Sequence, residues 1–135
     1  MDTSLHYLTM ANQMLIQKRL LERVKASGLT LGQPKVLDYL KDHDGASQKE
    51  IAAGCLIEAG SLTSILNRME EKGLIERQTL NGNRRTFHIF MTESGKKSQK
   101  LVEEVFNEIE NAAWKDISEE DAEAFMCVYH KIYSN

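Results

Sequence analysis

The sequence predicts a mainly α-helical chain that carries one small two-stranded β wing. Three observations lead there. Apolar residues recur at helical spacing through residues 4–72 and again beyond Thr92, whereas between Leu74 and Met91 the period shortens to two. The 135 residues include a single proline, Pro34, and Asn81-Gly82 falls midway through the period-two stretch. With 41% apolar and 27% charged residues, the composition is that of a soluble globular domain. A chain of this length buries roughly 70% of its unfolded surface without staples.

Residues 4 to about 26 form the first predicted helix, with Leu5, Leu8, Asn12, Leu15, Leu20 and Val24 near one stripe and Tyr7, Met10, Met14 and Leu21 on a second. Two apolar stripes need two surfaces to pack on. Gly28 ends the helix. Thr30 and Gln33 have capping-box spacing for a second helix running to about Lys41, with Pro34 near its start and Val36, Leu37 and Leu40 inward. Ser47 and Glu50 repeat the capping box for a short third helix, whose buried face holds Ile51, Ala52 and Cys55 or Leu56. After a break at residues 57–60, Leu62, Ile65, Leu66 and Met69 mark a fourth helix that stops at Gly73. Two short helices joined by a tight break make a helix-turn-helix.

Leu74–Leu80 and Arg84–Met91 read as paired strands, with Phe87, Ile89 and Met91 on one face, and Asn81-Gly82 as the hairpin turn because both residues tolerate positive φ. Thr92 caps a long helix to about Lys115. Ser118, followed by Glu119, Glu120 and Asp121, opens a last helix with Phe125, Val128, Tyr129 and Ile132 facing inward. The fold class is thus a winged helix-turn-helix flanked by long helices.

The net charge of −3 is unevenly spread. Residues 103–124 hold nine acids against Lys115, a local −8, so the rest of the chain is +5. The field at a docking face, not the total, steers association with a polyanion. No apolar run reaches membrane-span length and no signal peptide opens the chain, so the expected location is cytoplasmic, with no membrane partner. Cys55 and Cys127 form no C-x-x-C pair, and both read as small core residues rather than redox switches. His6, His43, His88 and His130 make no ligand set, so neither a metal site nor a cofactor is expected. An enzyme is not expected either, because no nucleophile with a base, paired carboxylates or phosphate loop appears at usable spacing.

The major groove of DNA admits one helix whose outer face is polar and whose inner face is anchored. Residues 60–72 fit that description: Leu62, Ile65, Leu66 and Met69 point inward and leave Ser61, Ser64, Asn67 and Arg68 outward. Asn83, Arg84 and Arg85 beside the turn would bring guanidinium groups to the narrow minor groove, whose negative potential attracts arginine. The candidate contacts to double-stranded DNA are Gln48, Ser61, Thr63, Ser64, Asn67, Arg68, Arg77, Asn83, Arg84 and Arg85.

The run Leu29-Thr30-x-x-Gln33-x-x-Val36-Leu37, then Gln48-Lys49-Glu50-Ile51-Ala52, Ser61-Leu62-Thr63, Asn67 through Arg77, and Asn83-Arg84-Arg85 through Met91-Thr92-Glu93-Ser94-Gly95 resembles the MarR family of bacterial regulators. The match in order and spacing runs from about residue 29 to 96. The resemblance implies a homodimer, with residues 1–29 and 93–135 as a helical dimerisation region and 30–92 as a winged helix-turn-helix DNA-binding lobe. It implies a repressor acting on a pseudo-palindromic operator and released by a ligand, an oxidant or a metal, with a pocket for a small-molecule effector between the dimer helices and each lobe. Tyr7, Met10, Met14 and Trp114 are candidates to line that ligand pocket, and equally candidates for dimer core. Two positions depart from the family pattern. Asn83 stands where the family usually has an aspartate paired with the wing arginine matching Arg85, and Ser64 stands where the recognition helix often has arginine.

The competing expectation is a winged-helix module that binds protein instead of DNA. That function calls for an exposed apolar patch on the fourth helix, where this chain has Ser61, Ser64, Asn67 and Arg68.

Overall fold

In the computed structural model, which describes residues 3–80, 82 and 85–135, six α-helices and one two-stranded sheet follow in the order the patterning predicts. They are α1 (Leu5–Val24), α2 (Gln33–His43), α3 (Gln48–Cys55), α4 (Ala59–Glu71), β1 (Ile75–Thr79), β2 (Phe87–Met91), α5 (Glu93–Ala113) and α6 (Glu119–Ser134). A short 3-10 turn, Lys25–Ser27, continues α1 and ends at Gly28, whose φ of 81° no side chain adopts cheaply.

The caps explain most of the boundaries. Ser47 accepts a hydrogen bond from the Glu50 amide at 3.1 Å while Glu50 accepts from the Ser47 amide at 3.2 Å, which closes the predicted capping box on α3. Those bonds to Ser47 are the main reason the Glu50 carboxyl is held below its usual range. Thr92 and Ser118 cap α5 and α6 as expected, accepting from Gly95 and Asp121 at 3.0 and 3.1 Å. The box predicted at Thr30 forms only in half. Gln33 Oε1 accepts from the Thr30 amide at 3.1 Å, but the cap residue is Gly32 at φ 85°, and the helix starts at Gln33 and runs on to His43.

The hairpin also differs from expectation. The antiparallel register pairs Ile75 with Met91 and Thr79 with Phe87, so seven residues, 80–86, connect the paired ends. A two-residue Asn81-Gly82 turn would require an odd-sum register and would place Phe87 differently. Gly82 does have a positive φ of 73°; Asn81 lies outside the described residues. Residues 45–47 join the sheet from the other side: the Gly45 amide donates to the Ile89 carbonyl at 2.7 Å, the Ile89 amide to Ala46 at 2.9 Å, and Ser47 bridges His88. The start of α3 is thereby tied to the inner strand of the wing.

One core runs through the lobe, from Val36, Leu37 and Leu40 of α2 to Ile51, Leu62, Leu66, Met69 and Ile89, and continues into Val102 and Val105 of α5 and Val24 of α1. The outer parts of α1 and α6 do not join it. Leu5, Leu8, Met10, Phe125, Val128 and Ile132 are exposed in the single chain, and Tyr129 is only half-buried, so the predicted inward face of α6 has no partner within its own subunit. Among the described residues no helix is long and apolar enough to cross a membrane.

Candidate nucleic-acid interface

Helix α4 is anchored by Leu62, Leu66 and Met69, all buried, with half-buried Ile65 beside them. Because a helix repeats every 3.6 residues, the same spacing turns Ser61, Thr63, Ser64, Asn67 and Arg68 outward, and all five are exposed. The turn into α4 is set by Leu56, whose φ of 56° lets its amide bond back to Ala52 and Ala53 while its side chain stays 70% exposed. It therefore does not join the buried face of α3, where Ile51 and Cys55 suffice. The Thr63 hydroxyl donates to the Ala59 carbonyl at 3.0 Å, which leaves it to face outward as an acceptor.

Gln48 and Arg77 are held differently. Arg77 on β1 donates from Nε to Gln48 Oε1 at 3.2 Å, from Nη1 to Glu70 Oε1 at 3.1 Å and from Nη2 to Asn67 Oδ1 at 2.9 Å. Its side chain is only 13% exposed, so its guanidinium acts first as a clamp across α3, α4 and β1. The signal was available: a strand alternates faces, and Arg77 shares the inward face of Ile75. A second cation missed by sequence reasoning secures the far end of the same helix. Lys72, the C-cap of α4, donates to the Gly28 carbonyl at 2.5 Å and to Gln33 Oε1 at 3.1 Å, tying the end of α4 to the start of α2 and the turn before it.

On the wing, Arg85 is exposed; Asn83 and Arg84 lie outside the described residues. The wing base is fixed by His88, whose Nδ1 meets the Gly45 carbonyl at 2.8 Å, and by the Thr92 hydroxyl, which donates to Gly73 at 2.6 Å. Among the described residues, Arg77 ties α3, α4 and the sheet into one block, α4 displays a polar outer face and the wing carries the exposed Arg85.

A family model described as MarR family matches residues 27–86. YwoH of Bacillus subtilis, an uncharacterised HTH-type transcriptional regulator, is 30% identical over 122 residues, which is 89% of this chain and 88% of that protein. The chain belongs to the MarR family. It is a transcriptional regulator of that family, whose members are regulators rather than enzymes. A putative transcriptional regulatory protein for the hcr operon of Thauera aromatica is 31% identical over 77 residues, and the match spans 57% of this chain but only 46% of that relative's length. Among solved structures, that of the S. aureus MepR–DNA complex is similar with a TM-score of 0.90 at 25% identity, covering 98% of both chains.

This MarR-family chain has a cleft of about 420 Å³ between α1 and the lobe. Ile16 and Leu20 of α1, Leu31 and Pro34 at the start of α2, Ile57 of the turn before α4 and Ile65 of α4 form its apolar walls, and Lys35 and Asp38 its charged edge. Surrounding protein raises the Asp38 pKa through desolvation, partly opposed by Lys41. None of Tyr7, Met10, Met14 and Trp114 lines this cleft. The first three are exposed on the outer half of α1, and Trp114 caps α5, edge-on to Phe125 with ring centroids 6.0 Å apart.

Cys55 is buried, its thiol donating to the Lys35 carbonyl at 3.6 Å, and burial pushes its pKa up to about 11. A thiol in that setting is a packing residue and a poor nucleophile. Cys127, expected in the core, is instead exposed on α6, whose whole outer face is unpartnered in the single chain. Among the described residues no group of three metal-ligating side chains comes together.

Proposed function

We propose that this regulator binds double-stranded DNA as a homodimer, reads a pseudo-palindromic operator as a repressor, and is released by a small molecule. The observation that carries the proposal is the outward face of α4. Ser61, Ser64, Asn67 and Arg68 stand exposed on a helix whose opposite face is fully anchored, and that is the form a major-groove reader takes. The cationic hairpin with Arg85 flanks it, in reach of the adjacent minor groove. The likeness to MepR, solved as a DNA complex, supports the same reading.

Dimerisation is supported by the apolar face that α1 and α6 leave open, since a large exposed apolar patch marks an association surface. In this reading residues 1–29 and 93–135 form the dimerisation region and residues 30–92 the DNA-binding lobe. The wall of the cleft supports effector control: Ile65 of α4 and Ile57 of the turn before it line the cleft, so an occupant touches the recognition helix directly. Two half-sites require their readers about 34 Å apart, and a shift of a few ångströms is enough to break simultaneous docking.

The test is titration of labelled duplex from around the coding region, and of random duplex, at several salt concentrations, with wild type and Arg85→Ala. Specific binding whose logarithm falls linearly with the logarithm of salt is expected, with a slope reduced by about one in the variant. Equal, salt-insensitive binding of both duplexes overturns the DNA reading, and a monomer in sedimentation at micromolar concentration overturns the dimer.

A further inference from the structure

We infer that the cleft between α1 and the lobe takes an organic cation, an apolar body lying against Ile16, Leu31 and Ile65 and a positively charged nitrogen head meeting the Asp38 carboxylate at the rim. This deepens the effector control proposed above, on which it rests, by naming the effector's chemical class.

A volume of about 420 Å³ is that of a small-molecule site, and such sites combine apolar walls with a few polar groups that fix orientation. Here isoleucine, leucine and proline side chains supply the walls, which select an apolar body and are indifferent to charge. The sign of the charge is decided at the rim. Two ionisable residues stand there, Lys35 and Asp38, three positions apart on α2.

Asp38 is the group without a partner. Among the described residues it makes no hydrogen bond and no ion pair, and Lys41, the base whose charge acts on it, is paired instead with Glu103 at 2.7 Å. The other charges that act on Asp38 are all negative: Glu103 and Glu110 of α5, and Asp42 of its own helix. Although Asp38 is exposed at the rim, surrounding protein desolvates it enough to hold its carboxyl above the ordinary range. A carboxylate that is short of water, short of a base and ringed by like charge gains from an incoming cation and repels an anion. Titratable groups kept in that condition beside a cleft mark binding sites.

Lys35 does not reverse the sign. Its ammonium is exposed on a flexible four-carbon stem, which turns to water at little cost. On the α1 wall, Gln13 and Gln17 stand one turn apart, and their amide oxygens can accept further N–H bonds from the head. Because the rim is open to solvent, the charge effect is modest. Attraction for a cation and repulsion of an anion with the same body together amount to about tenfold in affinity.

The experiment uses the full-length protein labelled at its isoleucine δ1 methyl groups, titrated at neutral pH with three probes built on one carbon skeleton: phenylbutylamine, a cation; phenylbutyrate, an anion; and phenylbutanol, which is neutral. Phenylbutylamine is expected to shift the methyl signals of Ile16, Ile57 and Ile65, which line the cleft, with a Kd about tenfold below that of phenylbutyrate and phenylbutanol between them. Asp38→Asn is expected to bring the three within about twofold, whereas Lys35→Gln keeps the order. A merely structural role for Asp38 would change all three affinities by the same factor. Thermal unfolding identifies a variant that fails to fold, and the order of the probes on wild type decides the sign without it. Phenylbutyrate or phenylbutanol binding as tightly as phenylbutylamine overturns the inference and leaves the cleft as an effector site. No shift at Ile16, Ile57 and Ile65 with any probe overturns the inference and the effector reading of the cleft together. Duplex affinity with and without phenylbutylamine separates the two claims: an amine that binds in the cleft and leaves duplex affinity unchanged supports the cation site and removes effector control.

Discussion

Gly95→Ala is expected to destabilise this protein, although helix propensity alone predicts the opposite. Gly95 lies in the first turn of α5, where alanine ordinarily stabilises a helix interior by about 1 kcal/mol. A Cβ at this position would fall 2.0 Å from the Leu74 carbonyl oxygen and 3.1 Å from its carbon. Carbon and oxygen meet at about 3.3 Å, so α5 and the base of the wing must separate by about 1.3 Å. The atom in the way is backbone, and it accepts the Thr92 amide at 3.1 Å, so no side-chain rotation relieves it. Overpacking costs about 1–3 kcal/mol and a strained hydrogen bond about 1 kcal/mol more, which after the helix gain leaves a net loss of about 2 kcal/mol. For a chain of this size that lowers the melting temperature by about 6–8 °C. Gly60→Ala is the control: nothing lies within 4 Å of its added Cβ, and a gain of about 0.5 kcal/mol is expected. Circular dichroism melts at one fixed protomer concentration, because association shifts the midpoint, would read both. A Gly95→Ala midpoint at or above wild type would refute the close approach of α5 to Leu74.

Two further outcomes follow from the titrating groups. With the Cys55 pKa near 11, only about one thiol in a thousand is ionised at pH 8, so maleimide should leave Cys55 unmodified in the native protein and label it in guanidinium; native labelling at Cys55 by mass spectrometry would contradict its burial. Asp38 has a folded pKa raised above its unfolded value, chiefly by desolvation, so the folded state binds the proton more tightly and stability is lost as pH rises through the folded pKa. Asp38→Asn should therefore be more stable than wild type at pH 7, with the difference vanishing below the ordinary carboxylate range, and a variant that is less stable at pH 7 would show that the attraction of the nearby Lys41 charge outweighs desolvation.

The order and type of every element were legible because each is signalled locally. Ser47 with Glu50, Thr92 and Ser118 are cap residues whose bonds reach only three positions along the chain, and the periods of Leu62–Met69 and of Phe87–Met91 distinguish helix from strand. Boundaries failed where the deciding partner lay elsewhere. Thr30 had capping-box spacing, yet Gln33 is also held by Lys72 from α4, and the helix is capped by Gly32 and begins at Gln33. The Asn81-Gly82 signal pointed to a tight turn, but the register that pairs Thr79 with Phe87 leaves a longer connection. Phe125, Val128 and Ile132 have the spacing of a buried face, and the single chain leaves that face open.

The candidate site divides in the same way. Which residues of α4 point outward is a consequence of helical period, and the sequence alone determined it, as it determined the polar face, the cationic hairpin and the family resemblance. How those residues are held was decided only by the tertiary structure. Arg77 is remote from Asn67 and Gln48 in sequence, and no local pattern states that one guanidinium takes an oxygen from each. The cleft likewise depends on Ile65 of α4 meeting Gly32 and the inner half of α1, a meeting of three segments. Local spacing encodes which face a side chain occupies, because the backbone period is short. Partners across the fold depend on how separately formed elements pack, and hydrogen-bond and packing energies there are set by distances that no single segment contains.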